Sequence, residues 1–120
     1  MPHRRTAVFL AVLMTLGATA ARADFEKITD IDAFVGLVDQ ATLTRFGITV
    51  TVAPDGGISG RAFGSPVTGS WSWESGYFCR DLTWGGSDLG YNCQQVAQDG
   101  QTLRFTSDNG AGRSADLTID

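Results

Sequence analysis

The chain has 120 residues, a formal net charge of −4 and a single histidine, His3. This length allows one domain and is too short for two of ordinary size. The nine basic residues are scattered and outnumbered by thirteen acidic ones. We therefore expect no nucleic-acid partner, because binding to phosphates requires clustered Lys and Arg.

The first 23 residues have the pattern of a secretory signal peptide. Arg4-Arg5 precedes an apolar, uncharged stretch at residues 6–20, which is followed by Ala21-Arg22-Ala23. A basic start, an apolar centre and an A-x-A end define such a leader, and the apolar run is shorter than the roughly 20 residues of a membrane anchor. We predict cleavage between Ala23 and Asp24 by the general secretory route, without lipid attachment, and a periplasmic or secreted domain at 24–120.

Composition excludes several reaction types for the domain at 24–120. Removing the leader takes away His3 and three basic residues but no acidic ones, which leaves no histidine and a net charge of −7. Metal sites built on imidazole, Ser-His-Asp and Cys-His catalysis and histidine general bases are thereby excluded. We predict no catalytic residue, no cofactor and no metal. The acidity also argues against docking on anionic membranes, and we expect a monomer.

One short amphipathic helix is predicted at residues 29–40. Ile31, Phe34, Val35 and Val38 recur at helical spacing, and Thr29 or Asp30 can cap the start. An apolar stripe of this kind is typical of packed core or of a lid on a sheet.

From Gly47 onward the apolar residues alternate with polar ones, which indicates β-strands. The turn formers that separate the strands contain Gly or Asn, which tolerate positive φ. Short turns between consecutive strands give antiparallel pairing. The fold class predicted is mainly β: an antiparallel meander of about seven strands that forms a small barrel or half-barrel, with one short N-terminal helix. The predicted strands cover residues 47–52, 58–63, 67–74, 77–84, 91–98, 102–107 and 113–119.

Cys79 and Cys93 are the two cysteines, and export favours a disulfide between them. A redox-active pair would favour the closer C-x-x-C spacing. If Cys79 faces Cys93, their strands form a hairpin that places Leu82 opposite Gly90 and centres the tip on Gly86.

The stretch at residues 71–94 holds every Trp and Tyr of the chain. If the aromatic side chains point outward they form a binding surface with an arginine as polar contact; if they point inward they form core, and the small size of the domain favours core. The candidate binding residues are Trp71, Trp73, Tyr77, Arg80, Trp84 and Tyr91.

Three carboxylates lie near the aromatic stretch: Glu74, Asp81 and Asp88. Paired carboxylates can hydrolyse glycosides, but scattered acidic residues are usually a solvated face. The segment 85–90 is a distant match to calcium-binding β-roll turns, which function as repeats and occur here once.

The run W-x-W-x-x-G-Y-F-C-R at 71–80, G-Y-N-C-Q at 90–94 and L-R-F-T-S-D-N-G-x-G at 103–112 resembles a family of small exported alphaproteobacterial proteins without an established function. The resemblance covers about residues 25–119 and implies no catalytic residues. Some such proteins carry the label dihydrodipicolinate reductase, which this chain does not support, because it has no dinucleotide-binding glycine motif and too few residues for a Rossmann domain with a substrate domain.

These observations predict an exported, non-catalytic interaction or ligand-binding domain that contacts its partner through the aromatic stretch and the tip at 85–91. Small periplasmic barrels with one disulfide are similar in architecture to bacterial lysozyme and metalloprotease inhibitors, so an inhibitor of a hydrolase is one alternative. A carboxylate-based carbohydrate enzyme is a second. A lipocalin-like carrier is a third, and it requires an apolar cavity instead of a filled barrel.

Overall fold

The computed structural model describes residues 24–120, and the predicted leader with Ala23 lies outside this range. The described chain forms nine β-strands and one α-helix. Their bounds, in chain order, are β1 (Glu26–Ile28), α1 (Ile31–Val38), β2 (Leu43–Arg45), β3 (Ile48–Val52), β4 (Gly57–Ala62), β5 (Ser65–Glu74), β6 (Tyr77–Trp84), β7 (Ser87–Asp99), β8 (Thr102–Thr106) and β9 (Ser114–Ile119).

Strands β2 to β9 form a closed antiparallel barrel of eight strands. Each pairs with its neighbours in chain order, and β2 closes the barrel by pairing with β9. The predicted antiparallel meander that closes into a small barrel is confirmed. Sequence patterning missed β1 and β2, because three residues are too few to show an alternation. β1 lies outside the closed ring, on the edge of β7 that continues beyond β6.

Helix α1 covers one end of the barrel, which we call the closed end. Phe34 of α1 is fully buried, and its ring centroid lies 5.5 Å from that of Trp71, 5.0 Å from Trp73 and 5.2 Å from Phe78. Asp30 and Asp39 on either side of the helix have extended backbone, so the helix is two residues shorter at each end than the predicted segment 29–40. Within residues 24–120, no helix is long and apolar enough to cross a membrane.

The predicted hairpin register is confirmed on the closed-end side of the hairpin. Cys79 pairs with Cys93 and forms the disulfide, and Leu82 lies opposite Gly90. Beyond this pair the register shifts by one residue, because Leu89 forms a β-bulge and Thr83 lies opposite Asp88. The turn is therefore Gly85-Gly86 and not a loop centred on Gly86.

Two strand glycines permit close packing of neighbouring strands. A Cβ on Gly60 would collide with the backbone of Thr49 and Val50, and one on Gly69 would collide with the carbonyl oxygen of Asp81. Glycine at such positions lets strands coil tightly enough for a small barrel to close. These two residues are thus part of the reason that the sheet closes into a ring.

Candidate ligand-binding site

The end of the barrel opposite α1 is open, and we call it the mouth. The turns between β2 and β3, between β4 and β5, between β6 and β7 and between β8 and β9 lie at this end. Because inward side chains alternate along each strand, β3 presents Val52, Val50 and Ile48 in turn from the closed end to the mouth. Aromatic rings fill the closed end, while free space remains between the strands toward the mouth.

Two adjoining cavities occupy this free space. The inner cavity has a volume of about 180 Å³ and the mouth cavity about 330 Å³. They share five wall residues and therefore form one lumen that runs from the core to the solvent. The shared walls are Val50, Val67, Leu82, Ala115 and Leu117.

The rim of the mouth exposes large apolar side chains. Phe46 in the β2–β3 turn is 92% exposed, and Phe63 in the β4–β5 turn is 62% exposed. The ring of Phe63 meets that of Trp84 edge to face at 6.5 Å, and the β-bulge places Leu89 in the wall of the mouth cavity. Exposed apolar side chains that cluster around an opening are typical of a ligand or partner site.

Phe63 also has an unfavourable backbone conformation. Its φ is 52°, in the left-handed region that costs an L-residue about 1–2 kcal/mol and that hairpin turns normally fill with Asn, Asp or Gly. Strained residues of this kind concentrate at functional sites. The turn thus holds an aromatic ring at the mouth at a conformational cost.

The inner cavity contains two polar side chains among apolar ones, Arg80 and Gln94. Arg80 lies on β6 between inward-facing Phe78 and Leu82, and its Nη1 donates a hydrogen bond to the carbonyl oxygen of Gly90 at 2.9 Å. Burial lowers the pKa of Arg80, and the neighbouring Asp81 carboxylate partly offsets this. The guanidinium still keeps its proton, as in other proteins, so the inner cavity contains one positive charge.

The six aromatic-stretch candidates do not form one surface. Trp71 is buried, and its Nε1 donates to the carbonyl oxygen of Ala53. Trp73 stacks on Phe34, and Tyr77 lies beneath the ammonium group of Lys27. The remaining three are at other places: Arg80 lies inside the barrel, Trp84 lies at the mouth, and Tyr91 is exposed on the outer face beside the disulfide.

The three candidate carboxylates are also apart. Glu74 lies opposite Tyr77 at the closed end, whereas Asp88 lies opposite Thr83 at the mouth, a separation of about 20 Å along β6 at the usual rise per residue. Asp81 lies on the outer face. Asp88 accepts a hydrogen bond from the Gly90 amide. Within residues 24–120, no group of three or more His, Cys, Asp or Glu residues could hold a metal ion.

Sequence reasoning missed most of the lumen. The alternation in β3, β5 and β6 does identify Val50, Val67 and Leu82 as inward-facing, which is the sequence signal for the wall of the lumen. The sequence gives no sign that these residues line a cavity, because free space depends on the barrel diameter. The sequence does contain a signal for Phe63, since Phe-Gly occupies a turn position that usually holds Asn-Gly.

Comparisons of this chain with protein-family models, with curated proteins and with solved structures find no match.

Proposed function

We propose that this protein is an exported, non-catalytic carrier that binds a small apolar molecule in the lumen of its barrel. The observation that carries the proposal is the continuous apolar lumen, closed at one end by α1 and open at the other. An eight-stranded barrel has an interior that side chains can just fill or that can hold one small ligand.

The size of the lumen supports a small ligand. Pockets that bind small molecules typically have volumes of about 300–1,000 Å³ and few polar groups. The mouth cavity, at about 330 Å³, lies near the lower limit, and the inner cavity extends it toward the core. A short hydrocarbon chain or one small ring system matches this space.

The apolar rim supports the same function. Phe63, Trp84 and Leu89 extend the apolar wall of the lumen outward to the solvent. An apolar ligand that enters along this wall stays in contact with apolar groups from the rim to the inner cavity. Such contacts favour binding at about 25 cal/mol per Å² of apolar surface removed from water.

Export of the protein is supported by the signal peptide predicted at residues 1–23 and by the disulfide. Disulfides form and persist in oxidising compartments such as the bacterial periplasm and the extracellular medium. Cys79 and Cys93 are joined between neighbouring strands on the outer face of the barrel. The disulfide therefore supports the predicted periplasmic or secreted location and lies away from the lumen.

The test is a titration of the purified protein with N-phenyl-naphthylamine, a neutral dye whose fluorescence rises in apolar surroundings. We expect saturable binding of one dye molecule per chain, with energy transfer from Trp84. Ala115 lies in the wall shared by both cavities, so Ala115→Phe fills the lumen and should weaken binding at least about tenfold. Ala33→Phe, on the exposed face of α1 at the closed end, is the matched control and should bind like wild type.

Two results would contradict the proposal. The first is a wild-type protein that does not bind the dye. The second is binding that Ala115→Phe leaves unchanged while thermal unfolding shows that the variant is folded, because the dye would then bind outside the lumen. Ala115→Leu is a milder filling variant in case the larger side chain prevents folding.

A further inference from the structure

Arg80 is a positive charge in a lumen that is otherwise almost wholly apolar. It lies between Phe78 and Leu82 on the inner face of β6 and lines the inner cavity. Its guanidinium is partly buried and makes one hydrogen bond within residues 24–120, from Nη1 to the carbonyl oxygen of Gly90. An arginine side chain has five N–H donors, so most of them remain for a further partner.

No carboxylate within residues 24–120 lies within salt-bridge distance of Arg80. The adjacent Asp81 projects to the opposite face of β6, where it lines a recess outside the barrel. A partly buried charge without an opposite charge is costly, because water no longer solvates it fully. A guanidinium at this position is instead complementary to an anion that enters the lumen, since guanidinium and carboxylate pair through two parallel hydrogen bonds.

Two other residues that line the lumen could also interact with an anion. Gln94 is the second polar side chain of the inner cavity, and its Nε2 donates to the hydroxyl oxygen of Ser107 at 3.3 Å. Arg45 lines the mouth cavity and is thus a second cation along the entry path. The Asp116 carboxylate is close enough to Arg45 to be stabilised by it. The carboxylate that acts on Arg80 is that of Asp81, which lies on the opposite face of β6, outside the lumen.

We propose that the lumen binds an acidic amphiphile, with its carboxylate paired to Arg80 and its hydrocarbon part along the apolar wall toward the mouth. This inference rests on the proposed function and specifies the class of ligand. The orientation follows from the geometry, because Arg80 lines only the inner cavity. The mouth cavity is lined by Phe63, Trp84 and Leu89, and the arginine in its wall, Arg45, already has the Asp116 carboxylate nearby.

The experiment compares three ligands that share one hydrocarbon chain: decanoate, decanol and decylamine. Each is titrated, below the concentration at which it forms micelles, against protein loaded with N-phenyl-naphthylamine, and displacement of the dye gives the dissociation constant. We expect decanoate to bind at least about tenfold more tightly than decanol, the usual effect of a hydrogen bond between charged groups. Decylamine should bind more weakly than decanol, because its ammonium group is repelled by the guanidinium.

The variant Arg80→Met replaces the charge with an apolar chain of similar length. It should remove the preference for decanoate and leave the affinity for decanol unchanged or increased. Arg61→Met is the matched control, because Arg61 is an exposed arginine on β4 that donates to the carbonyl oxygen of Gly64 and lines neither cavity. This variant removes the same charge and should keep the preference. Arg80→Gln is the second variant if Arg80→Met does not fold, as judged by thermal unfolding.

The outcomes distinguish this inference from the proposed function. If the neutral dye does not bind at all, the carrier function itself is wrong. If the dye binds and decanoate and decanol displace it equally well, the carrier function stands and the role of Arg80 is wrong. The role of Arg80 is also wrong if Arg80→Met and Arg61→Met reduce the decanoate preference equally, because the preference then arises from net charge alone.

Discussion

Replacing Phe34 with alanine should be among the most destabilising single changes in the domain. Phe34 is fully buried, and its ring packs against four other aromatic rings at the closed end: Trp71, Trp73, Phe78 and Phe105. Buried Phe→Ala substitutions cost about 3–5 kcal/mol, because transfer of the ring to water and the residual cavity both contribute. Whole domains of this size are stable by about 5–15 kcal/mol.

The measurement is chemical denaturation of Phe34→Ala followed by circular dichroism. We expect the free energy of unfolding to fall by about 3–5 kcal/mol, or the midpoint of thermal unfolding to fall by at least roughly 12 °C. Water that reaches the closed end should also shift the emission of Trp71 and Trp73 to longer wavelength. The matched control is Ile31→Ala, one turn earlier in α1, where the side chain is 41% exposed.

The control decides what the result means. Ile31→Ala should cost about 1 kcal/mol or less, since the lost apolar surface is already partly in water. If Phe34→Ala costs as little stability as Ile31→Ala, α1 does not seal the barrel, and the proposal that the lumen is closed at this end is wrong. A large loss for both variants would instead indicate that the helix is needed as a whole.

Four further changes test other parts of the structure. Replacing Cys79 and Cys93 together with alanine should lower the free energy of unfolding by about 3 kcal/mol, the entropic value for a loop of this length, and equal stability of the two proteins in denaturant would refute this. Gly69→Ala should destabilise the fold by about 1–3 kcal/mol, because the new Cβ meets the Asp81 carbonyl oxygen. Its control, Gly36→Ala in α1, has open space around it and should stabilise the fold by up to about 1 kcal/mol. Equal effects of the two variants would contradict the close packing of β5 and β6. Phe63→Asn should relieve the left-handed backbone and leave the melting temperature unchanged or higher, while N-phenyl-naphthylamine binds more weakly; undiminished dye binding would remove Phe63 from the site. The hydrogen bonds from Arg104 hold the pKa of Asp116 below its ordinary value. The pair therefore stabilises the fold at pH values above the ordinary carboxyl pKa, and this contribution is lost as the pH falls through the lowered pKa. An NMR titration should show the Asp116 midpoint rising in Arg104→Gln, and an unchanged midpoint would exclude Arg104 as the cause.

The sequence by itself determined the class of fold and the register of its central hairpin. Alternation with period two in β3 to β9 and the Gly-containing turns are local signals, and they indicated antiparallel strands in order along the chain. The cysteine pair fixed the register from Cys79 to Leu82 and from Gly90 to Cys93, because cross-strand partners in a hairpin are set by simple counting. The bulge at Leu89 was beyond such counting, because counting assumes one residue opposite one residue, whereas a bulge sets two residues opposite one.

Closure of the barrel and the lumen were decided only by tertiary structure. β2 closes the ring through pairs between residues 43–44 and 118–119, more than seventy residues apart, which no local pattern can indicate. The aromatic residues at 71–94 lie close together in the sequence. In the fold they separate to the core, the closed end, the mouth and the outer face, because successive side chains point to opposite faces and the strands run between the two ends of the barrel. Whether Val50, Val67 and Leu82 meet other side chains or a cavity depends on the barrel diameter and on what fills each end, and these are properties of the closed ring as a whole.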